Sequence, residues 1–503
     1  MQDPDTIVPS TASMEFRVRK HDSFVDLRED IGNVKSLSDH LIDGEYPFIS
    51  ILVATYNESL VIDRLLKSFT SLSYPADKFE IIIVDDSSDD TYEKIQRRLT
   101  DMHNLRVIHR QKREGWKGGA LNVALHAMDK RTSYVLILDA DNILLTDTLE
   151  RCMSLFIENQ CSYRREGYSI VAIQGFPISK SNLECVSKWE NQENVGNWIA
   201  RAIDFRLSQR NMIEFTAKEL LHLPVQITGS LFMMQADMLK SIKFCNDLCE
   251  DWELTLDVYC CSSQPSHLLS SSPPKRDVIT SDCIIKPICN HSSDGILSNP
   301  TAVSLKPRII FDQRLVSYCE ATTDLAAYFR QRMRVSEGHT RGLRRRIKRI
   351  AHSSMLSLVD KVELFLNGLQ YAKFTFVIAI GIIDIILILM YLLDGSNNNP
   401  QLINLFGICL SLQAANLAVS IVRLLWATKI CRPIRRYNIK DILSLIVLYM
   451  ITTPAFVIGS LRGFLRNKGI FYRTERNLPM QSKLSKASLP SDSKKSSSSH
   501  APS

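Results

Sequence analysis

The sequence lacks several patterns that would assign it to common classes of protein. Its 503 residues include 12 cysteines, yet no two form a C-x-x-C pair, which argues against a zinc ribbon or a dithiol redox site. Neither G-x-x-x-x-G-K-[ST] nor G-x-G-x-x-G occurs, so a P-loop or a Rossmann dinucleotide site is not expected. The opening MQDPDTIVPSTASMEF has no apolar core of the signal-peptide kind. We therefore expect buried thiols and a cytoplasmic N-terminal part.

Long apolar runs are absent before residue 370 and then occur three times, at 371–393, 402–426 and 442–461. Each is near the ~20 residues that a helix needs to cross a bilayer. The loop DGSNNNPQ carries no Lys or Arg, whereas the loop KICRPIRRYNIK is strongly basic. The positive-inside rule then places the second loop and the N-terminal domain in the cytoplasm. We expect a multi-pass protein of the cell membrane.

The third apolar segment conflicts with that rule, because a full span would put the basic stretch RGFLRNKGIFYRTER outside. Pro454 lies within the segment, and a re-entrant or broken helix would keep the following tail inside. We favour a cytoplasmic tail. Its end, KLSKASLPSDSKKSSSSHAPS, has a composition typical of disorder.

Positive charge is in excess, with a formal net charge of +7 that is concentrated in 341–349 and after Arg462. Beside an apolar segment, anionic lipid is a better partner than nucleic acid. The stretch RGLRRRIKRI predicts an amphipathic interfacial helix with Ile347 and Ile350 toward lipid. Its side chains expected to meet phosphate headgroups are Arg344, Arg345, Arg346, Lys348 and Arg349. No nucleic-acid partner is expected.

Five continuous apolar runs alternate with helical patterns in the N-terminal part: FISILVA, FEIIIVDD, LRVIH, YVLILDAD and IVAIQGF. This alternation predicts a parallel sheet covered on both faces. Ligands of such sheets bind beyond the carboxyl ends of the strands. The polar residues that fall there are Tyr56, Asn57, Glu58, Asp85, Asp86, Asp139 and Asp141.

Carboxylates are clustered at two of these strand ends. In DAD, Asp139 and Asp141 lie on the same side of an extended backbone, separated by one small residue. That arrangement suits a hard divalent cation held by one or two carboxylates and by substrate phosphates, as Mg²⁺ prefers. The cluster DDSSDD is equally compatible with a turn that caps a helix.

Seven stretches of the sequence then carry a family resemblance. ISILVATYNES, IIIVDDSSDDT, REGWKGGALN and VLILDADN, in this order, resemble a family 2 glycosyltransferase with the GT-A fold. GSLFMMQADML, CEDWELTLDVY and FRQRMRVSEG are similar to acceptor-side motifs of membrane-embedded processive enzymes such as cellulose synthases and glucomannan synthases. The resemblance covers 47–465 apart from about 262–307. It implies an α/β GT-A domain with a mostly parallel sheet, followed by a C-terminal α-helical transmembrane region.

The resemblance also suggests how the chain is divided. The predicted parts are an N-terminal extension (1–46), a GT-A domain (47–325) with an inserted loop at about 262–307, a segment with the acceptor motif and interfacial helices (326–366), a transmembrane region (367–465) and a tail (466–503).

On the donor side, the resemblance assigns roles to the ends of the first two strands. Ala54, Tyr56 and Glu58 would hold the nucleotide base and ribose. Asp85 and Asp86 would read the base, with Asp86 favoured. The donor would be a UDP-sugar or a GDP-sugar.

The resemblance places the diphosphate and the metal close by. Lys117 in GWKGG would neutralise the diphosphate, and Gly118 would let the backbone approach. Asp141 would bind the metal directly, and Asp139 would lie nearer the ribose or the metal. The expected cofactor is Mg²⁺ or Mn²⁺, which offsets charge on the departing nucleoside diphosphate.

On the acceptor side, Asp251 in CEDW matches the family's general base, which needs to reach the acceptor hydroxyl. In QRMRV, Gln331 and Arg334 match the Q-x-x-R-W motif. Arg334 would steady the departing diphosphate, and Gln331 would help to shape the acceptor site. Val335 stands where the family has an aromatic ring, so a cellulose-like acceptor channel is in doubt. The residues expected to contact the acceptor are Gly229, Ser230, Glu250 and Val335.

The leading interpretation is an inverting, metal-dependent hexosyltransferase that moves a sugar from a nucleotide donor to a hydroxyl acceptor at the membrane. The Q-x-x-R and Glu-Asp motifs favour polysaccharide synthesis, in which the product is a glycan, and this is the version that we expect, with a lipid acceptor as the alternative. Val335 and the small number of helices favour a single transfer to a lipid acceptor. A non-catalytic membrane adaptor with a transferase-like fold is a further alternative, against which the intact Asp139, Asp141, Asp251 and Arg334 argue.

Overall fold

A computed structural model of the chain describes residues 37, 45–180, 198–261, 305–393, 400–432, 435–467 and 469. Most of the predicted N-terminal extension, inserted loop and tail lies outside these residues. The boundaries proposed for those parts therefore stay predictions.

Eight strands form one sheet with the order β3-β2-β1-β4-β7-β6-β8-β5. They are β1 (Phe48–Thr55), β2 (Phe79–Asp85), β3 (Leu105–His109), β4 (Thr132–Asp139), β5 (Ile143–Leu144), β6 (Tyr168–Lys180), β7 (Phe232–Gln235) and β8 (Lys306–Glu320). β1–β2, β1–β4, β2–β3 and β6–β8 are parallel pairs, whereas β4–β7, β6–β7 and β5–β8 are antiparallel. Six of the eight described strands therefore run in one direction, as a mostly parallel sheet requires.

The helices cover both faces of this sheet and continue beyond it. They are α1 (Ile62–Phe69), α2 (Thr91–Gln96), α3 (Trp116–Ala127), α4 (Thr148–Arg165), α5 (Trp198–Gln209), a π-helix (Arg210–Phe215), α6 (Thr216–Leu220), α7 (Ala236–Ile242), α8 (Glu250–Tyr259), α9 (Leu325–His352), α10 (Leu358–Gly368), α11 (Lys373–Leu393), α12 (Pro400–Ile430) and α13 (Ile439–Leu465).

The five predicted strands correspond to β1, β2, β3, β4 and β6, and the central ones are apolar on both faces. Every residue of β2 is buried. Alternate residues point to opposite sides: Ile82 and Val84 join one core cluster, and Ile81 and Ile83 join the other. Two hydrophobic cores therefore hold the sheet, one beneath each helical layer.

The sequence analysis did not predict strands β7 and β8. β8 is 15 residues long and begins at Lys306, within the segment expected to be an inserted loop. Its apolar pattern is interrupted by Asp312, Gln313 and Arg314, and its pairing with β6 shifts register between Gln174 and Phe176. At such an irregularity, polar residues of the strand need not pair with the neighbouring strand. The apolar pattern that predicts a strand is therefore broken in the sequence, although the strand forms.

The three apolar segments form α11, α12 and α13, each long and apolar enough to cross a membrane. Nearly all of α11 and α12 is exposed, and Gln413 of α12 donates a hydrogen bond to Asp384 of α11. α13 differs, since 39% of its apolar stretch is buried against the rest of the chain. It is also continuous through Pro454, so the predicted break in this helix is wrong.

α13 packs along α9 through small residues. Cβ atoms added at Gly459 and Gly463 would lie 2.4 Å from the carbonyl oxygen of Met333 and 2.7 Å from that of Glu337. Ser336 donates to the carbonyl of Phe456 at 2.8 Å. The two helix backbones are therefore in direct contact, as in small-x-x-x-small packing.

Replacing Gly459 by leucine is expected to separate these helices. The Cβ would meet backbone rather than a flexible side chain, and overpacking of this kind costs about 1–3 kcal/mol. We expect a lower apparent Tm for the detergent-solubilised chain. Gly407→Leu is the matched control, because nothing lies within 4 Å of a Cβ at Gly407. Equal melting of the two variants would rule out this close packing.

The basic segment of α9 contacts protein rather than being left for lipid. Arg345 forms an ion pair with Asp247. Arg346 donates to both oxygens of Asp257, at 2.9 Å from Nε and 2.6 Å from Nη2. Arg349 reaches Asp257 as well, at 2.8 Å. These arginines therefore tie α9 to α8 and to the segment before it.

The other residues of this segment correct the prediction further. Arg344 donates to the backbone carbonyls of Phe464 and Arg466, at the end of α13. Ile350, expected to face lipid, is buried in the core. Ile347 is 40% exposed and Lys348 is also exposed. The segment is helical, and Arg345, Arg346 and Arg349 pair with carboxylates that lie far away in sequence, although Arg345, Lys348 and Arg349 stay exposed. Contact of this segment with lipid stays a prediction.

Candidate active site

The carboxyl ends of β1 and β4 place the predicted donor residues side by side. Ala54 pairs with Asp139 across these strands. β4 ends at Asp139, and a turn follows in which the backbone N–H of Asn142 donates to the carbonyl of Asp139 at 3.1 Å. The Asn142 amide donates to Ser230 at 2.9 Å and reaches Asp141 at 3.4 Å. The DAD turn is therefore held by a buried asparagine that sequence reasoning did not single out.

Lys117 lies at the centre of the site, in the first turn of α3. The helix starts after Gly115, whose φ of +70° is left-handed and favours glycine. The ammonium donates to Asp139 Oδ1 at 2.6 Å and to the carbonyl of Gly229 at 2.7 Å, and it lies 3.3 Å from Glu250 Oε1. One cation thus joins the end of β4, the loop before β7 and the start of α8.

The protonation state of Lys117 follows from these neighbours. Burial alone would lower the pKa of Lys117, but the carboxylates of Asp139 and Glu250 outweigh it and raise the pKa above its ordinary value. Lys117 is therefore a permanent cation, as a counter-charge for a diphosphate needs to be.

The loop that carries Gly229 and Ser230 is fixed from below by Gln174 of β6. The Gln174 amide donates to the carbonyl of Ser230 at 3.0 Å and accepts from the backbone N–H of Thr228 at 2.8 Å. Ser230 in turn accepts from the backbone N–H of Asp139 at 2.9 Å. Sequence reasoning missed Gln174, although a glutamine inside the apolar run IVAIQGF was a usable signal, since a buried amide needs partners.

Asp251 begins α8 and faces the same loop. Its Oδ1 accepts from the backbone N–H of Trp252 at 2.8 Å. A Cβ on Gly229, which has φ of +85°, would lie 3.2 Å from Asp251 Oδ2. Burial, together with the charge of Glu250, raises the pKa of Asp251 to about 7, against the opposing pull of Lys117. A carboxylate tuned in this way is suited to accept a proton near neutral pH.

The ring after Asp251 anchors the helix. Trp252 is fully buried, donates from Nε1 to the carbonyl of His339 at 3.1 Å and stacks on the His339 ring at 4.9 Å. Burial and the charge of Arg332 lower the pKa of His339 to about 3, so the imidazole stays neutral. α9 thereby positions the start of α8.

The residues predicted to bind the base occupy the ends of β1 and β2. The Arg113 guanidinium lies over the ring of Tyr56, 3.6 Å from its centroid. The backbone N–H of Glu58 donates to Thr91 at 2.9 Å. Asp86 accepts from Arg110 Nε at 2.6 Å. Ala54, Tyr56, Glu58 and Asp86 line one edge, and their contacts with a nucleotide stay predictions.

Asp85 lies at the end of β2, and its contacts within the protein favour a structural role. It is fully buried, and it accepts from the hydroxyls of Thr55 and Ser87 at 2.6 Å each, with His109 Nδ1 at 2.9 Å. We assign Asp85 to the turn after β2 rather than to direct contact with the base. Buried carboxylates of this kind are satisfied internally.

Gly118 also serves a purpose other than the predicted one. A Cβ there would lie 2.1 Å from the carbonyl oxygen of Cys245. The glycine therefore lets α3 approach the segment before α8. The predicted approach of the Gly118 backbone to a diphosphate stays a prediction.

The Q-x-x-R motif lies on α9, where Gln331 and Arg334 share one helix face. Gln331 accepts from Arg332 at 3.0 Å. Arg334 interacts electrostatically with Arg113, which lies beside Tyr56, and with Cys249, which precedes Glu250. Val335 packs against the main core, and its carbonyl accepts from Cys249 Sγ at 3.7 Å. Val335 thus supports the start of α8, and its predicted contact with the acceptor has no support in these distances.

The chemistry of the site fits a divalent cation that shares its ligands with a substrate. Within the described ranges, no group of three or more His, Cys, Asp or Glu side chains is placed so that it could hold a metal ion by itself. Asp139 and Asp141 supply hard oxygen ligands, and the Asp139 side chain is 43% exposed. Mg²⁺ and Mn²⁺ sites with one or two carboxylates and phosphate oxygens have this composition.

A separate surface cavity of about 670 Å³ lies where β1 and β2 begin. Phe48, Glu80, Arg106 and Arg131 are among its lining residues. It is at the opposite edge of the sheet from the carboxylates and Lys117, so it is not part of this site.

The fold and the site define a GT-A nucleotide-sugar transferase domain: a mostly parallel sheet, carboxylates after its central strand, and an acid at the start of a helix facing them. Residues 50–182 match the model of the family described as glycosyl transferase family 2. The chain carries a family 2 glycosyltransferase domain.

Characterised relatives agree with the family. Beta-monoglucosyldiacylglycerol synthase of Nostoc sp. is 37% identical over 117 residues, which are 23% of this chain and 25% of that protein. Glucomannan 4-beta-mannosyltransferase 7 of Arabidopsis thaliana is 28% identical over 120 residues, 23% of this chain and 22% of that protein. The matches thus span about a quarter of each relative.

One solved structure with a similar chain is the mannosyltransferase PcManGT from Pyrobaculum calidifontis in complex with GDP-Man and Mn²⁺. It is 15% identical, with a TM-score of 0.45 over 84% of this chain and 89% of that one.

Proposed function

We propose that the chain is an inverting, metal-dependent transferase that moves a sugar from a UDP- or GDP-sugar to a hydroxyl acceptor at the membrane. The observation that carries this proposal is the position of Lys117. Its ammonium links Asp139 on the donor side with Glu250, the neighbour of the proposed base Asp251. A diphosphate bound near Lys117 and a hydroxyl bound near Asp251 would therefore lie on either side of one bound sugar.

The proposed reaction is a single displacement. Asp251 Oδ2 takes the proton of the acceptor hydroxyl as its oxygen forms a bond to the anomeric carbon of the sugar. The bond from that carbon to the diphosphate oxygen breaks on the opposite face, and the electron pair stays on the diphosphate. Lys117 and Arg334 stabilise that charge. A divalent cation held by Asp139 and Asp141 would add Lewis-acid stabilisation of the leaving group.

A lipid hydroxyl is the acceptor that the structure favours. α11 and α12 are almost wholly exposed, so few of their residues pack against the described catalytic part. Val335 offers no stacking surface and is turned to the core. The name of the Nostoc relative refers to a glucosylated diacylglycerol. Polysaccharide synthesis is the second candidate, favoured by the Q-x-x-R motif and by the similarity to the glucomannan mannosyltransferase.

A donor screen tests this proposal. Membranes that contain the chain are incubated with radiolabelled UDP- and GDP-sugars and with Mg²⁺ or Mn²⁺, and the products are sized. One added sugar on extractable lipid supports the lipid acceptor, and a ladder of long chains supports polymer synthesis. No incorporation from any donor would refute the transferase proposal.

The rate of transfer is expected to depend on the ionisation of Asp251. Since the pKa of Asp251 is raised to about 7, the base is protonated and inactive at lower pH. We expect kcat/KM to rise about ten-fold per pH unit below 7 and to level off above it. Nucleotide affinity measured in parallel serves as the control. A flat profile between pH 5 and 8 would contradict the assignment.

We further propose that the catalytic domain is cytoplasmic, that α11 and α12 form a membrane hairpin, and that α13 lies along the domain. At the start of α13, Asp441 accepts from Arg201 of α5 at 2.8 Å. At its end, the carbonyl of Arg466 accepts from Arg344 of α9 at 2.9 Å. Both ends thus contact helices of the catalytic part, while an apolar face is left toward lipid.

This orientation predicts that the tail lies on the same side as the catalytic domain. Epitope tags before Met1, after Asn397 and after Ser503 are exposed to protease in sealed inside-out vesicles. The first and third are expected to be digested together, and the second to be protected. Protection of the tag after Ser503 would show that α13 crosses the bilayer.

A further inference from the structure

Three arginines gather where the catalytic part meets the apolar helices. Arg206 lies on α5, Arg210 begins the π-helix and Arg332 lies on α9. Arg332 lies over the ring of Tyr328, 5.0 Å from its centroid, and Arg206 interacts with the same tyrosine. The three cationic groups thus share one small region, which we call the arginine cluster.

The charges in the arginine cluster are not balanced by protein. Arg206 and Arg210 are four residues apart on one helix face, where like charges repel. Each of the three Nε atoms is buried, and none of them has an acceptor in the described part of the chain. Glu214, an acid that interacts with Arg210, and Glu363 each lie 3.0 Å from Lys218, so these two carboxylates offset Lys218 and at most one of the three arginines.

A neighbouring polar side chain beside the arginine cluster also has no partner in the described part of the chain. Asn211 is 1% exposed, and neither its amide nitrogen nor its oxygen finds a partner among the described residues. Burial, together with the charge of Arg206, lowers the pKa of Arg210 to about 10. Arg341 is a contrast within the same fold, since it is buried with two carboxylates around it. Unbalanced buried cations are costly, which indicates that this region is built for an anion.

The position of the cluster identifies the anion's source. The charges of all three arginines act on Tyr371, which lies two residues before α11 begins. The Tyr371 ring also stacks on Phe456 of α13 at 5.3 Å. The cluster is therefore at the depth where an apolar helix leaves the bilayer and lipid phosphates lie. Guanidinium groups bind phosphate oxygens in pairs, with more geometric specificity than lysine.

We propose that Arg206, Arg210 and Arg332 bind the phosphate of a membrane-lipid headgroup, at a site that adjoins the acceptor side of the sugar-transfer site, where Arg332 donates to Gln331 at 3.0 Å. The lipid's acyl chains would lie along the exposed apolar faces of α11 and α13. This site does not depend on the transferase proposal, and it anchors the catalytic part to a phosphate at a fixed depth.

The test uses the full chain in a neutral detergent and measures binding by calorimetry. The probes are dihexanoyl phosphatidic acid, inorganic phosphate and dihexanoylglycerol. We expect the phosphatidic acid to bind, and Arg210→Gln to weaken it about ten- to hundred-fold through the loss of charged hydrogen bonds. Arg98→Gln, at an exposed arginine of the catalytic part, is the control and should bind as the unchanged chain does.

The outcomes separate the possibilities. Equal affinity of Arg210→Gln and the unchanged chain overturns the site. Equally tight binding of inorganic phosphate that competes with the lipid overturns the lipid source, and tight binding of dihexanoylglycerol overturns the role of the phosphate. Arg332→Lys keeps the charge and should retain weaker binding, which supports the site even if Arg210→Gln does not fold. UDP and GDP binding, measured on every variant, reports on the transfer site independently.

Discussion

Asp251→Asn is expected to lower kcat for sugar transfer by about 10²–10⁴-fold, the range that a positioned general base supplies. Asparagine has nearly the same shape, and its side-chain oxygen can still accept the Trp252 N–H bond that Asp251 Oδ1 accepts at 2.8 Å. It cannot take a proton from the acceptor. Since Asp139 and Lys117 are untouched, donor binding is expected to be unchanged. The measurement is initial rate with the donor found in the screen, together with nucleotide affinity by calorimetry.

Asp237→Asn is the control for this variant. Asp237 is an exposed acid in the first turn of α7, so the same chemical change there should leave the rate unaffected. A further signature separates a base from a merely structural acid: the rise of rate with pH up to about 7 should vanish in Asp251→Asn. Retained activity with an unchanged pH profile would remove Asp251 from the mechanism.

The central part of the fold and much of the site could be predicted from sequence, because the information there is local. Buried parallel strands have continuous apolar runs, and their carboxyl ends meet at one edge. That is sufficient to bring Asp139 and Tyr56 to the same edge of the sheet. A contact such as Lys117 with Gly229, 112 residues away, is not contained in the local pattern.

The remaining features depend on partners that are distant in sequence. Gln174 looks like an ordinary strand residue until the loop at Thr228 and Ser230 is folded onto it. Asp85 and Asp86 are neighbours, yet Asp85 accepts from the hydroxyl of Thr55 and Asp86 accepts from the guanidinium of Arg110. A charge pattern along a chain shows which residues are polar, but not which of them are paired.

The basic segment of α9 illustrates this most fully. A run of arginines beside an apolar stretch predicts contact with anionic lipid. In the fold the same run is neutralised by Asp247, Glu253 and Asp257, which come from α8 and the segment before it. Arg206, Arg210 and Arg332 have fewer carboxylate partners, and nothing in the sequence indicates that the first two lie beside the third. Spatial clustering, not local density, decides where an anion can bind.

Arg341→Met is expected to destabilise the chain by about 3–5 kcal/mol, because it breaks a buried ion pair and leaves an acid without its partner. Arg341 is fully buried. It donates to Asp247 at 3.0 Å from Nε and 2.6 Å from Nη2, and to Glu337 at 2.9 Å. Asp247 would keep Arg345, but Glu337, which is 1% exposed, would lose its only ion pair within the described residues. We expect the apparent Tm in detergent to fall by on the order of 10 °C.

Arg349→Met isolates the effect of burial, because it removes an ion pair from the same helix at a side chain that is 55% exposed. Exposed pairs contribute about 0–1 kcal/mol, so this variant should melt close to the unchanged chain. The double variant Arg341→Met/Glu337→Leu removes the stranded acid and should recover part of the loss, since an apolar pair can replace a buried ionic one. If Arg341→Met melts like Arg349→Met, the buried pair does not hold α9 to the segment before α8. If the double variant melts as low as Arg341→Met, the loss arises from packing around the arginine stem, not from the unpaired carboxylate of Glu337.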